Sequence, residues 1–534
     1  MQLIENASKE KLRGGFYTPE PIAQFILKWS INGNPDIDIL EPSCGDGVFL
    51  EQIKNGNYKY KTLTAIELDT VEAEKAKNIN LPSTQIINSD FHTFCNNIQQ
   101  KFDIVVGNPP YIRYQYFDKE QQTQAERIFK RARVKYSKLT NAWVSFIIGS
   151  SLMLKDKGKI GFVVPAELLQ VTYAQQLRIF LSYFYNKINI VSFRKLVFPD
   201  IQQEVVLLLC EKDGTKDHVI EHIEVNDAEE LLNLDIHKLK SSQKKIDFKE
   251  NKWTFYFLEQ KEINFLENIM DNSNFPKIGH FAKTEVGITT GANDFFTVPY
   301  SVVEQYNLHE YARPLVGRSV QAKGMYFNQN DWDDNKLSKA KSCLLVFPSK
   351  KILQNNELAL KYIQEGEEKD LHKGYKNGIR DEWQIVPSLW ISDALFIRRN
   401  DVFPRLIINE AQAYTTDTMH RMKVNKDVNI KAFAASYYNS VSLAFSEIAG
   451  RSYGGGVLEL MPGEVKSIPL PYNEKNAEIA DKIDILLRAK TNIFDILKFS
   501  NQIILKENFG FSDNEIDLAT SIWRKLSERR LNRK

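Results

Sequence analysis

Four cysteines in 534 residues, Cys44, Cys95, Cys210 and Cys343, share no CxxC or Cys/His spacing, which excludes a disulfide framework and a zinc cluster. No metal site is expected. No apolar run approaches the ~20 residues of a membrane helix. The start, Met1-Gln2-Leu3-Ile4-Glu5-Asn6, lacks a signal-peptide pattern. A cytoplasmic protein with reduced, mostly buried thiols and no membrane contact is therefore expected. Neither sign of charge dominates: a net charge of +2 neither requires nor excludes a polyanionic partner, because a basic cleft can be balanced by acidic surface elsewhere. The GxGxxG dinucleotide fingerprint is missing. So is any long disordered tract, since 43% apolar and 26% charged residues are the proportions of a folded chain. The length is too great for one ordinary core and points to two large domains.

From Ile37 to about Leu209, short apolar runs alternate with amphipathic stretches, the pattern of an α/β domain with a doubly wound, mostly parallel sheet. Ile37-Asp38-Ile39-Leu40 is the first expected strand. It runs into Glu41-Pro42-Ser43-Cys44-Gly45-Asp46-Gly47, a glycine-bearing turn that opens a helix and lets backbone approach a ligand at the strand's carboxyl end. Glu41 disfavours a phosphate there and suits an ammonium group. The second strand, Leu63-Thr64-Ala65-Ile66, ends on Glu67, a carboxylate placed for ribose hydroxyls. The third, Thr84-Gln85-Ile86-Ile87, leads to Asn88-Ser89-Asp90-Phe91, which offers a carboxylate for an amine beside a ring. Each acid taken alone reads as a helix cap or turn residue; their succession at strand ends points to a nucleoside site.

The fourth strand, Phe102-Asp103-Ile104-Val105-Val106-Gly107, delivers Asn108-Pro109-Pro110-Tyr111. Two prolines fix two φ angles and remove two donors, so the loop is stiff and rich in acceptors. The Asn108 side-chain oxygen and the Pro109 carbonyl can take both hydrogens of an NH2 group, and Tyr111 offers a ring for stacking. Downstream, Arg127 to Lys138 is basic with interleaved aromatics, and the chain ends in Arg529-Arg530 and Arg533-Lys534. Both runs can neutralise phosphates.

In this order the motifs resemble the gamma-class, TaqI-like S-adenosylmethionine-dependent N6-adenine DNA methyltransferases of restriction-modification systems. Gly14-Gly15-Phe16-Tyr17-Thr18-Pro19-Glu20 looks like the N-terminal cofactor motif. Glu41 to Gly47, Ile66-Glu67-Leu68-Asp69, Ser89-Asp90-Phe91 and Asn108 to Tyr111 match the next four. Leu152 to Pro165, and Val197-Phe198-Pro199 followed by Val205 to Leu209, continue the likeness.

The resemblance implies a Rossmann-like methyltransferase domain over 1–245, a separate α+β target recognition domain over 246–472 and a helical C-terminal segment over 473–534. The polar stretches around Glu211-Gly214 and Ser241-Lys245 read as a connecting region. It further implies an S-adenosylmethionine site built from Tyr17, Thr18, Glu41, Ser43, Gly45, Glu67, Leu68, Asp90, Phe91, Asn108 and Pro110. Asn108, Pro109, Pro110 and Tyr111 would be catalytic, with Tyr111 and Phe198 stacking on the target base. Arg113, Lys130, Arg131, Arg133 and Asn293 are the candidate DNA contacts. Val286 to Phe296 and Ser452 to Val457 resemble segments of the recognition domain, although glycine-rich turns serve folds as well as DNA.

The implied partner is double-stranded DNA, bound by a monomer with one adenine flipped out. The motif series starts at Gly14 and no nuclease pattern is seen, so a cognate restriction endonuclease is expected to act separately. Four alternatives are N4-cytosine methylation, whose motif more often begins with Ser; the smaller glutamine and ribosomal RNA guanine methyltransferases; a combined restriction-methylation enzyme; and a non-catalytic DNA-binding specificity subunit. The absence of a Pro-Cys dipeptide argues against cytosine-C5 chemistry.

Overall fold

The computed structural model describes residues 18–113, 116–137, 140–198, 204–235, 243–248, 252–453 and 455–532. Its first unit takes in the chain up to Ile263 together with Tyr453 and Asn532; the second comprises Asn264–Ser452 and Gly456–Leu531. Among the described residues no helix is long and apolar enough to cross a membrane.

The first unit is built on one sheet whose strands lie in the order 84–88, 62–67, 38–41, 102–107, 154–165, 205–211, 187–193, 219–225 and 244–245. β1 (Asp38–Glu41), β2 (Thr62–Glu67), β3 (Thr84–Asn88), β4 (Phe102–Gly107) and β5 (Leu154–Pro165) run parallel. β7 (Val205–Glu211) is inserted antiparallel between β5 and β6 (Lys187–Phe193). Register is set by β1, where Ile39 faces Ile104 and Glu41 faces Ala65. The unbroken apolar run of β4 follows from burial on both faces: Ile104 and Val106 join a core beneath α1 (Glu20–Ile31) and α2 (Val48–Asn55), while Val105, equally buried, lies outside that cluster. α3 (Thr70–Asn78) follows β2, and α4 (Phe91–Asn97), α5 (Lys119–Arg131) and α6 (Ala142–Leu152) form a second helical layer, in which Gly149 lies against Phe91, Cys95 and Ile128. This is the doubly wound arrangement expected from the alternating pattern.

One stretch departs from expectation. Part of the presumed connecting region extends the sheet: β8 (Val219–Val225) lies parallel to β6, and β9 (Lys244–Lys245) pairs antiparallel with β8. The segment Val-Ile-Glu-His-Ile-Glu-Val carries three polar residues, yet Ile220 and Val225 are fully covered and Glu221 is drawn in with them. Register against β6 outweighs local polarity here.

The second unit is α+β, with a five-stranded, mostly antiparallel sheet ordered 282–286, 419–424, 394–397, 406–409 and 326–327. Smaller sheets of four and three strands adjoin it in sequence. Helices Ala480–Arg488, Ile493–Asn501 and Asp513–Leu531 belong to the same unit, so the helical end of the chain is part of its body. Arg530 on the last helix forms a buried ion pair with Glu447 at 2.8 Å. Gly287 is demanded by this fold, since a Cβ there would fall 1.8 Å from the Thr416 carbonyl oxygen.

Candidate nucleoside and amine site

Open α/β sheets bind ligands beyond the carboxyl ends of their strands, and here four consecutive strand ends are laced together. After β1 the chain turns through Gly45 (φ +55) and Gly47 (φ +103), both left-handed, before entering α2. The Gly45 N–H donates to Glu67 Oε2 at 2.9 Å, and the Asp69 N–H donates to Glu67 Oε1 at 2.8 Å. Asn88 Nδ2, at the end of β3, donates to the Glu67 and Leu68 carbonyls. Ser43 Oγ donates to the Asn108 carbonyl at 3.2 Å, which ties the β1 turn to the loop after β4.

Electrostatics give this turn a sign. Glu41 is 2% exposed, and its Oε2 has no hydrogen-bond partner. Burial, with the charges of Glu67 and Asp46, holds its carboxyl well above the usual range. Burial likewise raises Glu67, against the opposing N–H donors of Asp69 and Gly45, and burial with the nearby Glu72 raises Asp46. Burial and the carboxylates of Glu41, Glu67 and Asp46 push the Cys44 thiol up, which disfavours the thiolate. Three carboxyls with raised affinity for protons thus cluster at this turn. A Cβ placed on Gly45 would meet nothing within 4 Å, so the turn faces open space. An orphaned buried carboxylate oxygen, clustered acids and an open glycine fit the ammonium and sulfonium of S-adenosylmethionine and would repel a pyrophosphate.

Other predicted residues fall as follows. Thr18 is buried just ahead of α1, and Tyr17 lies outside the described residues. Leu68 is 59% exposed beside Glu67. Asp90 caps α4 by accepting the Thr93 N–H at 2.8 Å. Burial would raise its carboxyl, but hydrogen bonds from His92 and Thr93 outweigh burial and hold it low. Phe91 departs from expectation: at 2% exposure its ring stacks on Phe146 with centroids 4.5 Å apart, leaving no open face for an adenine. One step past the cap, its side chain points into the helical layer.

The loop after β4 is rigid. Pro109 is buried, Asn108, Pro110 and Tyr111 are half-buried, and the Asn108 Oδ1 is enclosed. Tyr111 Oη donates to the Val163 carbonyl of β5 at 3.1 Å, which fixes the ring, and burial holds its phenol well above the usual range. Tyr111 and Phe198 belong to one apolar cluster.

Arg113, Lys130 and Arg133 are exposed, and Lys130 with Arg127, Phe129 and Tyr136 lines a cavity of about 450 Å³. Arg131 differs, because its guanidinium donates to the Cys95 carbonyl at 3.0 Å and to Asn96 Oδ1 at 3.2 Å, so it caps the end of α4. Asn293 is exposed in the second unit, with its Oδ1 accepting from Thr290 Oγ1 in a turn. Lys138, Pro199, Gly454, Arg533 and Lys534 lie outside the described residues. Sequence reasoning misses Asp46, legible as an acid inside the glycine turn, and the His92–Ser145 pair behind Asp90, joined across 53 positions with no local signal.

Residues 22–198 match the model of the Eco57I restriction-modification methylase, and residues 250–505 match that of the type II methyltransferase M.Eco57I C-terminal domain. The type II methyltransferase M.AccI of Acinetobacter calcoaceticus is 25% identical over 88% of this chain and 87% of its own length. M.HincII of Haemophilus influenzae is 30% identical over 44% of each chain. Among solved structures, the DrdV–DNA complex covers 80% of this chain and 52% of its own at 13% identity and a TM-score of 0.49. With both domain models matched in order, the chain carries the two domains of Eco57I-type restriction-modification methylases.

Proposed function

We propose that the protein is a site-specific DNA methyltransferase that methylates the N6 amine of an adenine flipped out of double-stranded DNA, as the modification enzyme of a restriction-modification system. The observation that carries this reading is the junction of two loops: the Asn108-Pro109-Pro110-Tyr111 acceptor loop is held by Ser43 against the acid-lined turn after β1. An amine pocket thus adjoins a site suited to a cationic nucleoside. The names of its relatives, type II methyltransferases, support the same class.

When bound, S-adenosylmethionine supplies an activated methyl on a sulfonium, so the chemistry requires no covalent link to the protein. Glu41 would hold the ammonium, Glu67 the ribose hydroxyls and Asp90 the adenine amine. Asn108 Oδ1 and the Pro109 carbonyl would accept the two N6 hydrogens of the target base. These acceptors favour a more tetrahedral nitrogen, freeing its lone pair from the ring and stabilising the positive charge that develops on it. The Tyr111 ring, fixed by its hydrogen bond to Val163, would stack on the base and offset the few kcal/mol lost on leaving the duplex.

The test is transfer of radiolabelled methyl from S-adenosylmethionine to duplex DNA, followed by nucleoside analysis. The expected product is N6-methyl-2′-deoxyadenosine. Asn108→Ala should lose at least about 10²-fold in turnover while still binding the cofactor. Label on cytosine would replace adenine by the N4-cytosine alternative. Full activity of Asn108→Ala would overturn the assignment of the loop.

A further inference from the structure

Behind Asp90 lies a buried polar chain with no part in the scheme above. Asp90 Oδ1 is 3.3 Å from His92 Nδ1, and His92 Nε2 is 2.8 Å from Ser145 Oγ on α6. His92 is 1% exposed and Ser145 fully buried. Three rings meet the imidazole edge-to-face: Phe91, Phe117 and Phe146, with centroids at 5.7, 5.3 and 5.0 Å. The imidazole is therefore fixed in place and orientation.

Its protons follow from its neighbours. An ionised carboxylate has no proton to give, so the nitrogen facing it must carry one, and His92 Nδ1–H donates to Asp90. Ser145 Oγ also lies 2.8 Å from the Ala142 carbonyl. If the hydroxyl proton faces Nε2, the ring is the neutral Nδ1–H tautomer; if it faces Ala142, the ring is an imidazolium. Both states keep the donor on Asp90.

Counting acceptor positions then gives the carboxylate a specific vacancy. Asp90 Oδ2 accepts from the Thr93 N–H at 2.8 Å and the Thr93 hydroxyl at 3.0 Å, and Oδ1 accepts from His92. Three donors occupy a group with about four lone-pair positions, so one remains, on Oδ1. The Asp90 side chain is 16% exposed, so the carboxylate is not sealed inside the helical layer as His92 is.

We propose that His92, braced by Ser145 and the three rings, is a positioning residue that keeps Asp90 an acceptor with one open lone pair for the exocyclic amine of the cofactor's adenine. This rests on the cofactor reading above. The open position accepts an amine N–H and rejects a carbonyl oxygen, which would meet it lone pair to lone pair. The site should therefore discriminate adenine from hypoxanthine in the cofactor, and His92 should set the degree of discrimination.

The experiment is calorimetric titration of the full chain with S-adenosylhomocysteine and with S-inosylhomocysteine, which carries a carbonyl in place of the amine. The wild type should prefer the adenosyl compound. His92→Phe should weaken that compound about tenfold and leave the inosyl compound nearly unchanged, so that the preference collapses. His92→Asn, whose amide N–H falls near the place of Nδ1, should restore most of it. Ser145→Ala, which leaves the imidazole in place, should give a smaller fall and keeps the test available if His92→Phe does not fold. A merely structural role would weaken both ligands equally, and that result, or an intact preference in His92→Phe and Ser145→Ala, overturns the role of His92. Failure of the wild type to bind either compound overturns the cofactor reading itself.

Discussion

Glu41→Gln should stabilise the unliganded protein and weaken its hold on the cofactor, two effects of opposite sign from one atom. Glu41 is 2% exposed, its Oε2 has no partner, and burial with Glu67 and Asp46 raises its carboxyl. A folded carboxyl raised above its unfolded value of ~4.3 contributes stability that is complete below that value and is lost as pH rises through the folded value. At pH 8 the wild type therefore bears a strained buried acid, which glutamine, unable to ionise, relieves. Because the acid can retain a proton, the relief is far less than the full cost of burying a charge, about 2 kcal/mol. In a domain of this size that raises Tm by about 4–8 °C. At pH 5 the gap should narrow. Loss of the carboxylate that pairs with an ammonium costs about 2–5 kcal/mol, so S-adenosylmethionine should bind at least about thirtyfold more weakly. Melting at pH 5 and pH 8, with and without cofactor, reads both effects in the transition that cofactor addition moves. A lower Tm for the unliganded variant at pH 8, or an unchanged cofactor shift, would refute the electrostatic account of the turn.

Two further predictions concern the frame of the molecule. Gly47→Ala should cost about 1–3 kcal/mol in denaturant unfolding, because φ is +103 and the new Cβ would lie 2.4 Å from Ile79 Cδ1; unfolding like the wild type would show that the turn does not need glycine. In the second unit, Arg530→Met strands Glu447 as a buried charge and should cost about 3–5 kcal/mol, whereas adding Glu447→Leu should recover most of the loss. Equal stability of the single and double variants would show that the pair is not coupled.

Much of the first unit is legible in the sequence because its signals are local. β4 is an apolar run closed at its carboxyl end by Asn108-Pro109-Pro110, and the strand-end motifs each sit close to a strand. Reading fails where a side chain's neighbours come from far away. Phe91 adjoins Asp90 in sequence, but the start of α4 turns its ring onto Phe146. Arg131 lies in a basic run, yet it reaches back 36 positions to the Cys95 carbonyl. Val219–Val225 looks like connecting chain until β6 supplies its register. The His92–Ser145 contact has no local trace at all, since only the packing of α4 on α6 creates it.

The central claim, an acceptor loop that methylates adenine in DNA, is tested most directly by single-molecule methylation mapping of DNA from cells expressing this chain or its Asn108→Ala variant. The account predicts N6-methyladenine at one recognised sequence with the wild type and none with the variant. Unmodified DNA, or a methyl group on cytosine, would contradict it.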